Sequence, residues 1–270
     1  YHGWRFDGAG TCVAIPGLAS EPPASCVTTY PVVEQQGFVW VWMDPETEPI
    51  AQPFHFRLAD EPGYLTVRKR LEAPANVHAV AENALDVPHT AFLHGGLFRK
   101  DEDRNAIQCV VKRQWDRVEC EYIGEPRPEG IAAKILSPSG GIVTHFDRFY
   151  LPSILEVEYR IGDENHILLN GACTPVEPDQ TVLYAVVSVR SRIPAWLIRP
   201  LVQPIALHIF SQDVEVLKLQ TEAREKYGDR YVSTEIDLLG PHIEALLKRA
   251  AAGKLRPDSK PVERQVTMEV

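Results

Sequence analysis

Asn83, Asp86, His89 and His94 fall in one stretch, Glu82-Asn83-Ala84-Leu85-Asp86-Val87-Pro88-His89-Thr90-Ala91-Phe92-Leu93-His94, which stops at Gly95-Gly96. Neutral imidazoles ligate iron, zinc, copper and nickel, and two of them leave room for a third protein ligand. Five residues turn a regular helix through roughly 140°, so His89 and His94 would diverge on an unbroken one. Pro88, which lacks an N–H and restricts Val87, interrupts the helix and allows both rings to face one point. The bland alternative is a helix end whose histidines cap carbonyls or face solvent. With nine His in the chain, a five-residue pair arises about 0.3 times by chance; an Asp three residues earlier lowers this to roughly 0.02. The full Asp-x2-His-x4-His string, rather than the pair, therefore carries the metal reading.

The elements that must position these groups are legible around them. Residues 74–85 read as a helix, with Pro74 in its first turn, alanines inside, and Asn76, Asn83 and Asp86 at helical spacing on one face. A second helical block follows Pro194 and runs, with Pro200 and Pro204 inside, to about Tyr227. There Ile209, Asp213, Leu217 and Gln220 share one face, while Glu215, Lys218, Glu222 and Glu225 share the other. Asp213 thus sits on an apolar stripe, where a carboxylate is costly unless paired, hydrogen-bonded or metal-bound. Glu215 is solvated, and the competing role for Asp213 is a salt bridge to an arginine on a sheet.

Between the helices the chain reads as strands at 64–71, 107–115, 117–124, 142–150, 153–161, 166–173 and 182–190. Val118, Cys120 and Tyr122 alternate with Arg117, Glu119 and Glu121, and short connections at Trp115-Asp116 and 162–165 suit antiparallel hairpins. His145 and His166 lie within strands and read as satisfied or surface residues. Upstream, residues 37–43 form an aromatic strand and 44–49 a charged, proline-bearing linker, which places a domain boundary at 45. After Gly240 come a short helix at 241–252 and a polar end expected to pack on the surface.

Composition narrows the class. A net charge of −9 argues against nucleic acid as a partner, and 44% hydrophobic residues are ample for a core. No apolar run reaches the 18 or more residues that suggest a membrane span. Five cysteines, odd in number and without Cys-x-x-Cys spacing, fit free thiols in a reducing cytoplasm.

The string from Glu82 to His94 resembles the mononuclear iron motif of the Rieske non-haem iron oxygenases, which hydroxylate or demethylate aromatic rings. The resemblance implies that His89 and His94 bind Fe(II) and that Asp86 bridges toward a Rieske cluster, accepting the His89 ring N–H that does not face iron. It implies Asn83 lining the site and Asp213, within Ser211-Gln212-Asp213-Val214-Glu215-Val216-Leu217, as the third ligand; Glu215 is the residue to test next should Asp213 not be the ligand. Tyr1-His2-Gly3-Trp4, followed by Asp7-Gly8 and Ile15-Pro16, resembles the second ligand loop of a Rieske domain. There a [2Fe–2S] cluster is held by two Cys and two His, of which this chain supplies His2. Cys12 lies in the wrong place and reads as a small buried hydrophobe. A chain truncated within that motif is the expectation.

By the same resemblance the fold is α+β. A helix-grip antiparallel sheet wrapped on a long helix (46–270) follows the C-terminal remnant of an all-β Rieske domain (1–45). Electrons would pass from NAD(P)H through a reductase or ferredoxin to the cluster and then to Fe(II), which activates O2. The product would be a hydroxylated or O-demethylated aromatic or other cyclic substrate. The assembly would be a homotrimer in which His2 of one subunit meets Asp86 of the next. A ligand-binding helix-grip module with a vestigial metal site, and a zinc-dependent hydrolase using the same ligands, are the alternatives.

Overall fold

The computed structural model describes residues 2–94, 105–126, 142–162, 165–229 and 231–269, with side chains undescribed at 91, 195, 198, 201 and 202. Tyr1, the Gly95-Gly96 stop and part of the 162–165 connection lie outside the described residues. The chain forms two compact units, residues 1–56 and 57–270.

The first unit is built from hairpins. β1 (Arg5–Phe6) pairs with β2 (Cys12–Ala14), and β3 (Val32–Gln35) pairs with β4 (Phe38–Val41). Gln36 and Gly37 turn the second hairpin with φ of 53° and 80°, the left-handed pair that matches strand twist. The unit continues past the 44–49 linker because the Gln36 amide exchanges hydrogen bonds of 2.9 and 2.8 Å with the Phe56 main chain. Phe56 also packs on Phe38 and Trp40 at centroid separations of 5.5 and 5.9 Å. Cys12 is buried, as its reading as a small hydrophobe expects.

The second unit is an eight-stranded antiparallel sheet with helices on one face. In chain order it contains β5 (Leu65–Ala73), α1 (Val77–Ala84), α2 (His89–Leu93), β6 (Ala106–Arg113), β7 (Arg117–Ile123) and β8 (Val143–Tyr150). There follow β9 (Ile154–Ile161), β10 (Asn165–Glu177), β11 (Gln180–Arg190), α3 (Ala195–Tyr227), α4 (Gly240–Ala251) and β12 (Val262–Glu269). The strand order is β12-β6-β7-β8-β9-β10-β11-β5. Alternation decides the faces: Val118, Cys120 and Tyr122 of β7 are buried, whereas Arg117 is exposed. Gly171 lets the strands pack closely, since a Cβ there would meet Leu183 Cδ1 at 2.6 Å and Leu155 Cδ1 at 2.8 Å.

The core joins this sheet to the helices through Val80 and Ala81 of α1, Leu217 of α3, and Ile243 and Leu246 of α4. The polar end expected on the surface is instead β12, paired with β6 at the sheet edge. Only Val266 and Met268 of β12 are buried, so its period-two signal is short. α3 is continuous through Pro200 and Pro204. On the opposite sheet face, Glu156 and Glu158 are buried among Arg57, Arg148 and, for Glu158, Arg160.

Candidate metal centre

α1 begins later than the sequence suggests. The Asn76 side chain accepts the Ala79 N–H at 2.9 Å and caps the helix, leaving Pro74 before it. α1 ends at Ala84, and α2 starts at His89 behind Pro88, whose φ of −56° and ψ of −37° already suit a helix. His94 is the residue at which α2 stops, with φ −106° and ψ 36°. The interruption expected at Pro88 is thus present, and leaving the helix at His94 completes the convergence. The two rings stand 5.2 Å apart, inclined at 77°.

α3 brings the carboxylate. Leu217 is buried in the core, and Thr221 Oγ1 donates to the Pro74 carbonyl at 2.8 Å, pinning α3 against the segment that enters α1. Asp213, two turns earlier on that helix, has Oδ1 3.2 Å from His94 Nε2 and 3.7 Å from His89 Nε2. Ligand atoms from the three residues lie within 4.8 Å of one another, and no other such group of three occurs among the described residues. Glu215 is exposed and outside the group.

Three observations show that this set suits a cation. Donors about 2.1 Å from one ion and 90–110° apart lie roughly 3.0–3.4 Å from each other, close to the separations seen. Asp213 Oδ1 is buried and makes no hydrogen bond of acceptable geometry, despite the 3.2 Å approach. The other ring nitrogens are engaged: His89 Nδ1 with the Asp86 main-chain carbonyl, and His94 Nδ1 with Gln212 Oε1 at 2.9 Å. With both Nδ1 atoms donating, two Nε2 lone pairs and a carboxylate oxygen face one another, which is unfavourable until a cation sits between them. His94 is 2% exposed; burial opposes its charge, but Asp213 and Gln212 outweigh this and raise its pKa.

Asp86 does not take the ring N–H with its carboxylate. Oδ2 accepts the His89 main-chain N–H at 3.0 Å and lies 3.5 Å from Nδ1, so the carboxylate caps α2 while the carbonyl orients the ring. Asn83 is half-buried, contributing its carbonyl to the Asp86 N–H at 3.4 Å. His2 is exposed, with φ 57°, in the turn before β1.

The two strand histidines are satisfied, but not equally. His166 lies between Tyr64 Oη at 2.7 Å and Glu158 at 3.0 Å. His145 is stacked between Tyr122 and Tyr159, with Glu125 at 2.6 Å from Nδ1 and Asp147 at 3.0 Å from Nε2. Burial lowers its pKa, yet the two carboxylates prevail and push it up to about 9, so both nitrogens donate and neither is free for a metal. Sequence reasoning missed Gln212, which touches the candidate site through His94, and Glu125 and Asp147, which hold His145. The two-residue spacing of His145 and Asp147, which puts both on one strand face, was the available signal for that pair.

The large antiparallel sheet with helices packed on it matches the fold of Rieske oxygenase catalytic domains. The crystal structure of dicamba monooxygenase bound to dicamba superposes with a TM-score of 0.72 at 23% identity, covering 93% of this chain and 79% of that one. Residues 73–253 match the vanillate O-demethylase oxygenase C-terminal domain, and the chain belongs to that family of Rieske non-haem iron oxygenases. TIC 55 of Arabidopsis thaliana, a chloroplastic protein, is 29% identical over 84% of this chain and 42% of its own length. The oxygenase component of dicamba O-demethylase from Stenotrophomonas maltophilia is 28% identical over 97% of this chain and 67% of its own. The chain thus spans about two-fifths of the length of TIC 55. No described helix is long and apolar enough to cross a membrane.

Proposed function

We propose that this chain carries the catalytic centre of a Rieske oxygenase that hydroxylates or O-demethylates an aromatic or other cyclic organic substrate. The observation that carries the reading is the convergence of His89 Nε2, His94 Nε2 and Asp213 Oδ1, with the carboxylate oxygen buried and lacking a hydrogen bond. Two imidazoles and one carboxylate, with no thiolate, form the donor set of non-haem Fe(II) oxygenases and leave positions open. Fe(II) held there would supply the activation of O2. The named activity of the dicamba O-demethylase relative supports demethylation as the outcome.

In this reading residues 46–270 are the catalytic domain and residues 1–45 belong to a Rieske domain in which His2 is a [2Fe–2S] ligand. NAD(P)H provides electrons through a reductase or ferredoxin. Asp86 fixes His89 through its carbonyl and presents a half-exposed carboxylate toward a cluster histidine, with His2 of a neighbouring copy in a homotrimer as that group. Asn83 borders the site. Five free cysteines suit a reducing compartment, for which we propose the cytoplasm.

Fe(II) titration of metal-free protein, followed by substrate oxidation with reductase and O2, tests the reading. The wild type is expected to bind about one mononuclear Fe(II) per chain, and Asp213→Ala to lose it, because an anionic ligand has gone. Retention of full iron by Asp213→Ala, or turnover by zinc-loaded protein without O2 or reductant, would sink it.

A further inference from the structure

We infer that Gln212 is a positioning residue: its side-chain carbonyl holds His94 as the Nδ1–H tautomer and so keeps the Nε2 lone pair aimed at the metal position. The inference rests on the metal-centre reading above and adds a residue to it. His94 is buried, and its Nδ1 lies 2.9 Å from Gln212 Oε1. An amide oxygen only accepts, so the ring proton must reside on Nδ1. In the neutral ring this leaves the Nε2 lone pair directed at Asp213 Oδ1, 3.2 Å away.

The opposite arrangement has a definite consequence. If the Gln212 amide NH2 faced Nδ1, the proton would move to Nε2 and point at Asp213. Ligand and carboxylate would then satisfy one another as a closed hydrogen-bonded pair, and the cation would have to break it. For the neutral ring, the orientation of one amide therefore separates an open ligand set from a closed one. Sequence adjacency makes this possible. Neighbouring residues on a helix project about 100° apart, so Asp213 reaches one edge of the imidazole while Gln212 reaches the other.

The two candidate histidine ligands differ in how they are held. His89 Nδ1 meets the carbonyl of Asp86, a main-chain group that no substitution removes. His94 Nδ1 meets a side chain 118 residues away in sequence, which can be deleted. His145 shows what other partners do. With carboxylates on both nitrogens it is held as a cation with no lone pair to offer, whereas the neutral amide at His94 orients the ring without demanding a second proton.

The test combines imidazole 15N shifts of the metal-free protein, recorded along a pH series up to the point where the shifts themselves show a neutral ring, with Fe(II) affinity by competition titration. In the wild type His94 is expected to carry its proton on Nδ1. Gln212→Met, similar in length but without a strong acceptor, is expected to lose that preference and bind Fe(II) about 10–100-fold more weakly. Gln212→Glu restores an acceptor and is expected to stay within several-fold of the wild type, while His89 keeps its tautomer throughout. Wild-type His94 protonated on Nε2, or unchanged Fe(II) affinity in Gln212→Met, overturns the role of Gln212 alone. No Fe(II) binding by the wild type overturns the metal centre and this role together. The wild-type tautomer decides the point even where Gln212→Met fails to fold.

Discussion

His89 and His94 meet because the first opens a five-residue helix and the second has already left it. Regular helical geometry across those positions would have separated them. Their unused nitrogens are occupied by carbonyl oxygens, one main-chain and one from Gln212, so orientation is set before any ion arrives. Asp86 has a divided role at this scale: its carbonyl orients the ring, its carboxylate caps α2, and 33% of its side chain remains exposed. Asp86→Asn keeps an oxygen for the cap and removes the charge. In cluster-loaded enzyme this variant is expected to retain mononuclear iron while oxidation of the reduced cluster, with substrate and O2 present, slows by one to two orders of magnitude. Stopped-flow absorbance measures that rate, and a wild-type value at full iron occupancy removes Asp86 from the electron path.

At the scale of elements, the sheet supplies stability and α3 supplies register. Leu217 and Thr221 fix α3 one and two turns beyond Asp213, which is why this carboxylate can meet two histidines so distant in sequence. Within β8, His145 is a buried cation whose pKa is raised from 6.5 to about 9 by Asp147 and Glu125 against the cost of burial. Between those values the native state binds a proton that the unfolded chain releases, so stability falls as pH rises. The contribution is full below the unfolded pKa and is lost through pH 9, on the order of 3 kcal/mol. Urea midpoints measured from pH 6 to pH 10 are expected to decline for the wild type and to lose most of that slope in His145→Gln. Parallel curves for the two proteins would show that His145 does not carry the proton.

At the scale of the whole molecule, residues 57–270 contain the complete eight-stranded sheet, the helices packed on it and all three candidate ligands. The core described there closes on its own residues. Residues 57–270 expressed alone are therefore expected to unfold cooperatively and to bind about one Fe(II), as followed by circular dichroism and iron analysis. A molten or insoluble product would show that residues 1–56 are required for this core.

The sequence by itself determined the candidate ligand types, most strand positions and the place of Asp213 on an apolar stripe, because spacing, period-two alternation and the 3.6-residue stripe are local properties of a chain. Its boundary at 45 came from composition, whereas the aromatic packing of Phe56 on Phe38 and Trp40 extends the first compact unit to residue 56. β12 was hidden because an edge strand buries few residues, and its partner β6 lies far upstream. Only the tertiary structure decided which ring nitrogen of His89 and of His94 faces Asp213, that Gln212 meets His94, and that His145 lies between two carboxylates. Each of those depends on a hydrogen bond to one atom of another residue, and atomic directions across the fold have no counterpart in local periodicity.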